Sequence, residues 1–213
     1  MLTVSAPVRS YGGKSAQERA EDRRLRLVEA TISVLAEQGG ATTMTAICAE
    51  AGLTERYFYE SFTHRDDALL AALDAVCEEI AARALATLEE SSGTPEERVQ
   101  AMMTWFVDWV GRERDRGLVA VVQASATPRL RARRHELLGT FADLVALEST
   151  RLYGEHAWPP DRARLQGLVY IAGFAELLAA WLLGEIDLTP DELATTGSDL
   201  FLALGRRHRD AQA

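Results

Sequence analysis

The chain has 213 residues, enough for one or two small domains with a sizeable core. Its 47% hydrophobic and 26% charged residues are ordinary for a soluble globular protein, and a net charge of −9 argues against a surface that is polyanion-binding throughout. The two cysteines, Cys48 and Cys77, are too few for a disulfide scaffold and read as free thiols in a reducing, cytoplasmic setting.

The apolar spacing reads as helix nearly throughout, with no convincing strand alternation. "MLTVSAPVRSYGGKSAQ" lacks a long apolar core, so no secretory signal is expected there, and residues 1–16 read as a flexible tail. Residues 17–38 place Leu27, Val28, Thr31, Ile32 and Leu35 on one stripe before "EQGG" stops the helix. A short helix follows from Met44 to Glu50, capped by Thr43, then the tight turn "AGL", then a second short helix from Glu55 to Phe62. A long helix is expected from Asp66 to about Ser91. Further helices are expected over 96–111, 118–126, 130–155, 161–185 and 190–207. "TPEE" (94–97) and "TPDE" (189–192) each supply a capping threonine, a proline in the first position and acids in the first turn. The predicted fold is all-α with about nine helices: an N-terminal three-helix helix-turn-helix domain over 17–65 and a C-terminal helical bundle over 66–213.

Charge is distributed unevenly. Residues 1–65 carry eight basic and eight acidic side chains, so the whole net charge of −9 falls on residues 66–213. Nucleic-acid contact is therefore expected at the N-terminal end alone. In "GLTERYFYESF" (52–62), Thr54 reads as the N-cap, with Leu53 before it and Phe58 as the fourth helical residue, the spacing of a hydrophobic staple. At about 100° per residue, Phe58 and Phe62 share the inner side. Arg56 falls opposite them, with Tyr57 and Tyr59 on the flanks. Two short helices joined by a glycine-containing three-residue turn read as a helix-turn-helix, whose second helix reads base edges in the DNA major groove, an ordinary αα-corner with no DNA role being the alternative. Arg56 suits guanine, Glu55 can accept from cytosine, and the tyrosine and threonine hydroxyls suit phosphate oxygens.

The run Arg23–Asp74, with "TTMTAICAEAG", "TERYFYESF" and "THRDDALL", resembles the DNA-binding domain of the TetR family of bacterial repressors. The resemblance covers about a quarter of the chain. It implies that Thr43 and Thr45 approach the DNA from the first short helix, that Thr54, Glu55, Arg56 and Tyr57 read it, and that Tyr59 contacts phosphate. It also places His64 and Arg65 at the start of the long helix, near the backbone. The chain departs from the family pattern at Cys48, at the acidic Glu55 and at His64, where a smaller capping residue is usual. Arg9 and Lys14 read as part of a disordered tail, with a minor-groove arm as the alternative.

The resemblance further implies a homodimeric regulator, a repressor released from a pseudo-palindromic operator by a small, largely apolar effector. Helix 161–185 is apolar nearly all round and so is expected to be buried on two faces, one of them against a second copy. Leu168, Ile171, Ala175, Leu178 and Leu182, with Leu200, Phe201 and Leu204 of the last helix, are the candidate dimer residues. Met102, Trp105, Phe106 and Trp109 share one helical face, a core stripe by spacing alone; with Phe141 and Phe174 they are candidates to line an effector pocket, and Gln123 reads as bonded to nearby backbone, a polar anchor being its alternative. The basic run "PRLRARRHE" (128–136) reads as a solvated helix start, salt pairing being its alternative.

Leu168–Gly184 is near the lower length limit for a membrane span and carries Glu176 at its middle, so a buried helix is expected instead. The four histidines have no metal-ligand spacing, and "YGGKSAQ" lacks the upstream glycine of a phosphate loop. No catalytic set, cofactor or metal site is expected. The alternative to a DNA-binding regulator is a helical scaffold that uses the short helices for protein contact.

Overall fold

The computed structural model describes residues 15–210, all helices and turns. The tail expected over 1–16, with Arg9 and Lys14, lies almost wholly outside the described residues. Helix α1 (Ala16–Gln38) opens with a capping box: the Ser15 hydroxyl accepts from the Glu18 N–H, and the Glu18 carboxylate accepts from the Ser15 N–H. It ends at Gly39, whose φ of 55° favours glycine. Helices α2 (Met44–Ala51) and α3 (Glu55–Ser61) are joined by the three residues 52–54, with Gly52 left-handed at φ 60°. Helix α4 (Arg65–Glu90) leads out of this unit into the bundle of α5 (Pro95–Arg112), α6 (Arg114–Gly117), α7 (Pro128–Tyr153), α8 (Pro160–Leu183) and α9 (Pro190–Asp210). Four of these helices start on a proline, where a missing N–H costs nothing; Thr94, Thr127 and Thr189 cap three of them through their hydroxyls.

The helix expected over 118–126 is two short turns instead. After α6 the chain makes one wide π turn at Leu118–Val122 and a 3-10 turn at Gln123–Ser125 before α7 begins at Pro128.

One continuous apolar core runs from Leu27 and Phe58 at one end to Phe174 and Phe201 at the other. Around it α1 packs on α2 and α4, α5 on α9, and α7 on α8. The α7–α8 contact is close: a Cβ on Gly167 would stand 2.5 Å from the Ala142 carbonyl oxygen. Helix α8 is long and apolar enough to cross a membrane. Its inner side, with Tyr170, Phe174, Leu178 and Leu182, is buried in the subunit's own core. Its outer side, with Leu165, Val169 and Leu183, is exposed, so burial on a second face is not met within one chain.

Candidate nucleic-acid interface and effector cavity

Phe58 is fully buried and Phe62 nearly so, their ring centroids 5.5 Å apart, which fixes α3 to the core by its inner side. Helix α1 grips the same unit with three arginines. Arg24 stacks its guanidinium 4.4 Å from the Phe62 ring centroid and donates to the Ser61 carbonyl at 3.0 Å. Arg26 donates to the Ala51 carbonyl at 2.6 Å, meeting a carbonyl at the end of α2. Arg23 lies 4.6 Å from the Tyr57 ring centroid and 3.4 Å from Glu60. These cations therefore hold the helix-turn-helix together.

The outer side of α3 carries Glu55, Arg56 and Tyr59, all exposed, with Tyr57 half-buried beneath Arg23. The Arg56 side chain is 83% exposed and reaches Glu60 at 3.2 Å, one turn along the helix. Thr43, Thr45 and Thr54 are exposed on the same unit. Thr43 is engaged as a cap, accepting from the Ala46 N–H at 3.1 Å, whereas the Thr54 hydroxyl makes no cap bond. His64 takes the N-cap position of α4. Its N–H donates to Asp67 at 2.9 Å, which, together with Arg129, holds the Asp67 carboxyl below the usual range. Arg65 is not a free phosphate-facing cation: it donates to Asp66 at 2.8 Å and to the carbonyls of Thr42 at 3.1 Å and Gly40 at 3.4 Å. Cys48 is buried behind Glu55, and both burial and that carboxylate push its thiol up.

In the bundle, a cavity of about 180 Å³ lies between α4, α5, α7 and α8. Met102, Phe106, Phe141 and Phe174 line it, as do Ile171, Ala175 and Leu178. Trp105, Trp109 and Gln123 do not. The aromatic face of α5 divides: Phe106 turns to the cavity and to Phe174, with centroids 6.3 Å apart, while Trp109 stacks behind it and on Trp105. Gln123 instead sits against Gly39, its amide 3.5 Å from the Ala36 carbonyl at the end of α1. Charged and polar groups at the cavity that the sequence did not single out are Arg134, Glu148, Cys77 and Tyr170. Tyr170 is buried, its hydroxyl donating to the Gly197 carbonyl at 3.2 Å. Burial and the nearby Asp74 push the Cys77 thiol up to about 12, so it is neutral and inert at ordinary pH.

Leu178, Leu182 and Phe201 are buried in the subunit's own core and cannot present a dimer surface, while Ile171 and Ala175 turn toward the cavity. Leu168 and Leu204 are half-buried and Leu200 is exposed. The basic run 128–136 opens α7 and is mostly exposed, and three of its arginines are also paired: Arg129 with Asp67 at 3.0 Å, Arg133 with Asp74 at 2.7 Å and Arg134 with Glu176 at 2.5 Å. Among the described residues no group of three or more His, Cys, Asp or Glu side chains is placed to hold a metal ion.

No protein-family model and no curated protein matches the chain. Solved structures do. The fatty acid degradation regulator FadR of Bacillus halodurans superposes with a TM-score of 0.72 at 15% identity, over 89% of this chain and 96% of that one. A TetR-family transcriptional regulator from Streptomyces coelicolor gives 0.66 at 19% identity, over 89% of each chain. The fold is that of the TetR-family regulators. FadR of Bacillus subtilis, solved in complex with stearoyl-CoA, matches at a TM-score of 0.68 and 16% identity, over 84% of this chain and 96% of that one. The TetR-type architecture thus extends from the helix-turn-helix unit through the whole bundle, well beyond the quarter of the chain where the motif is legible.

Proposed function

We propose that this chain is a TetR-like transcriptional regulator, a repressor that binds a pseudo-palindromic operator as a homodimer and leaves it when an apolar ligand enters the bundle. The observation that carries this reading is the division of α3 into a core side, Phe58 and Phe62, and an exposed side, Glu55, Arg56 and Tyr59, on a helix-turn-helix of this fold. The Arg56–Glu60 pair is exposed and one turn apart, an interaction that contributes about 0.3–0.5 kcal/mol. A bidentate contact to guanine contributes about 1–3 kcal/mol, so Arg56 would exchange its partner on binding DNA.

Arg56→Ala is therefore expected to weaken operator binding by about 1–3 kcal/mol and to relax preference at one base pair per half-site. Selection from a random-sequence DNA library should return two half-sites centred roughly 34–36 Å apart, or a multiple of that. A library with no enriched sequence would sink the reading and favour the scaffold alternative.

The homodimer reading rests on the outer side of α8, where Val169 is 66% exposed and Leu165 and Leu183 stand beside it along the same helix, with Leu200 on α9. Val169→Glu is expected to give a monomer in sedimentation at micromolar concentration and to abolish high-affinity operator binding. A dimer of undiminished strength would move the interface elsewhere. Release by ligand fits the path of α4, which starts at the helix-turn-helix and lines the cavity from Leu73 to Leu88. For release, the ligand must bind the non-operator state more tightly than the operator-bound one.

A further inference from the structure

Resting on the reading of the cavity as the effector site, we propose that its ligand is a single-chain anionic amphiphile. The head is seated on Arg134 and the chain runs between α4 and α7, away from the helix-turn-helix.

The shape of the cavity points to a chain. Leu73 and Leu88 both line it from α4, and Arg134 and Leu152 both line it from α7. At about 1.5 Å of rise per residue, those pairs lie about 22 Å and 27 Å apart along their helices. A volume of about 180 Å³ drawn out over that length is a narrow channel. A compact apolar cavity of about 150 Å³ holds a benzene ring; an elongated one of similar volume instead matches a hydrocarbon chain. The walls are almost wholly apolar, and a buried chain gains from each methylene removed from water.

The charges give the ligand its direction. Arg134 and Glu148 are the charged side chains that line the channel, fourteen residues apart on α7 and hence near opposite ends. Glu148 is buried and paired with Arg151 at 2.6 Å, so the far end holds a carboxylate that repels a second anion. Arg134 bonds Glu176 at 2.5 Å, and the Glu176 side chain is 71% exposed on the outside of α8. An ion pair with so solvated a partner is weak. A guanidinium carries five N–H donors in a fork that matches an oxyanion. An incoming anionic head would compete with Glu176 for that fork. The head would then sit one residue from Arg133, which grips Asp74 of α4 at 2.7 Å, so occupancy is felt at the helix leading to the helix-turn-helix.

The same head-and-tail chemistry exists as a free fatty acid and as its coenzyme A thioester. The test is calorimetric titration with laurate and palmitate, with their coenzyme A thioesters, with dodecanol as the uncharged chain and with toluene as a compact apolar probe, each followed by an operator gel shift. A charged chain is expected to bind and to release DNA. Arg134→Gln should weaken that binding about tenfold or more and leave dodecanol unaffected. Glu176→Gln, which removes the competing carboxylate outside the channel, should tighten it. Thioester binding alone, with the same dependence on Arg134, supports the proposal and names the source. Equal binding of laurate and dodecanol, or indifference to Arg134→Gln and Glu176→Gln, overturns the anionic head. Release of DNA by toluene but by no chain overturns the proposal while leaving the cavity as an effector site. Binding of neither chain nor toluene overturns both.

Discussion

Phe58→Ala is expected to lower stability by about 3–5 kcal/mol, the cost of emptying a fully buried aromatic site. For a chain of this size each kcal/mol lowers Tm by roughly 2–4 °C, so thermal unfolding followed by circular dichroism reads the effect directly. The ring has no exposed surface, lies 5.5 Å from Phe62 and meets Tyr59 edge-on at 5.8 Å. Apart from the α1 arginines, this inner side is what fastens α3, which has only seven residues, too short to persist without packing. The unit around α3 is thus expected to loosen first, and operator affinity to fall more steeply than helix content. Tyr59→Ala, on the exposed flank of the same helix, serves as the control and should leave Tm within about 2 °C of the wild type, as surface substitutions do. An unchanged Tm for Phe58→Ala would show that the inner side of α3 is not its anchor.

The second large effect is expected at Gly167. In an exposed helix, exchanging glycine for leucine gains up to about 1 kcal/mol. Here the added Cβ would meet the Ala142 carbonyl oxygen at 2.5 Å, backbone against helix axis, where no side chain can turn aside. Overpacking of this kind costs about 1–3 kcal/mol and sometimes more, so the clash outweighs the propensity gain. Gly167→Leu should therefore unfold at a lower temperature, and because α7 and α8 must separate, it should also weaken self-association through the outer side of α8. A Tm at or above the wild-type value would mean that α7 yields without cost.

These two residues mark what was readable from the sequence and what was not. The inward turn of Phe58 follows from 3.6-residue periodicity and a staple, both local. The starts of α5 and α9 were announced by threonine–proline pairs for the same reason. Gly167 gives no such signal, since its closeness to Ala142 depends on how two helices cross. The same limit governs the arginines of the run 128–136. Their partners Asp67, Asp74 and Glu176 lie 62, 59 and 42 residues away along the chain, beyond the reach of local pattern. In the α5 stripe, spacing grouped Met102, Trp105, Phe106 and Trp109 correctly on one broad face, but that face is shared between a cavity and a packed wall. Leu118–Val122 is apolar at every position, so there is no stripe whose phase would betray the wider π turn. For the TetR-type bundle as a whole, length and helix count were legible, whereas the division of α8 into a buried and an exposed side needed its neighbours.

The bonds of Arg65 bear on how a signal can travel. Its guanidinium ties the first turn of α4 to the carbonyls of Gly40 and Thr42, which lie between α1 and α2. The first turn of α4 is thereby a lever arm welded at its fulcrum, and the joint between bundle and reading head cannot lie at residue 65. A tilt imposed on α4 near Leu73 would then carry α2 and α3 with it. In the homodimer proposed above, the quantity that effector binding would change is then the distance between two heads, with the conformation of each left unaltered.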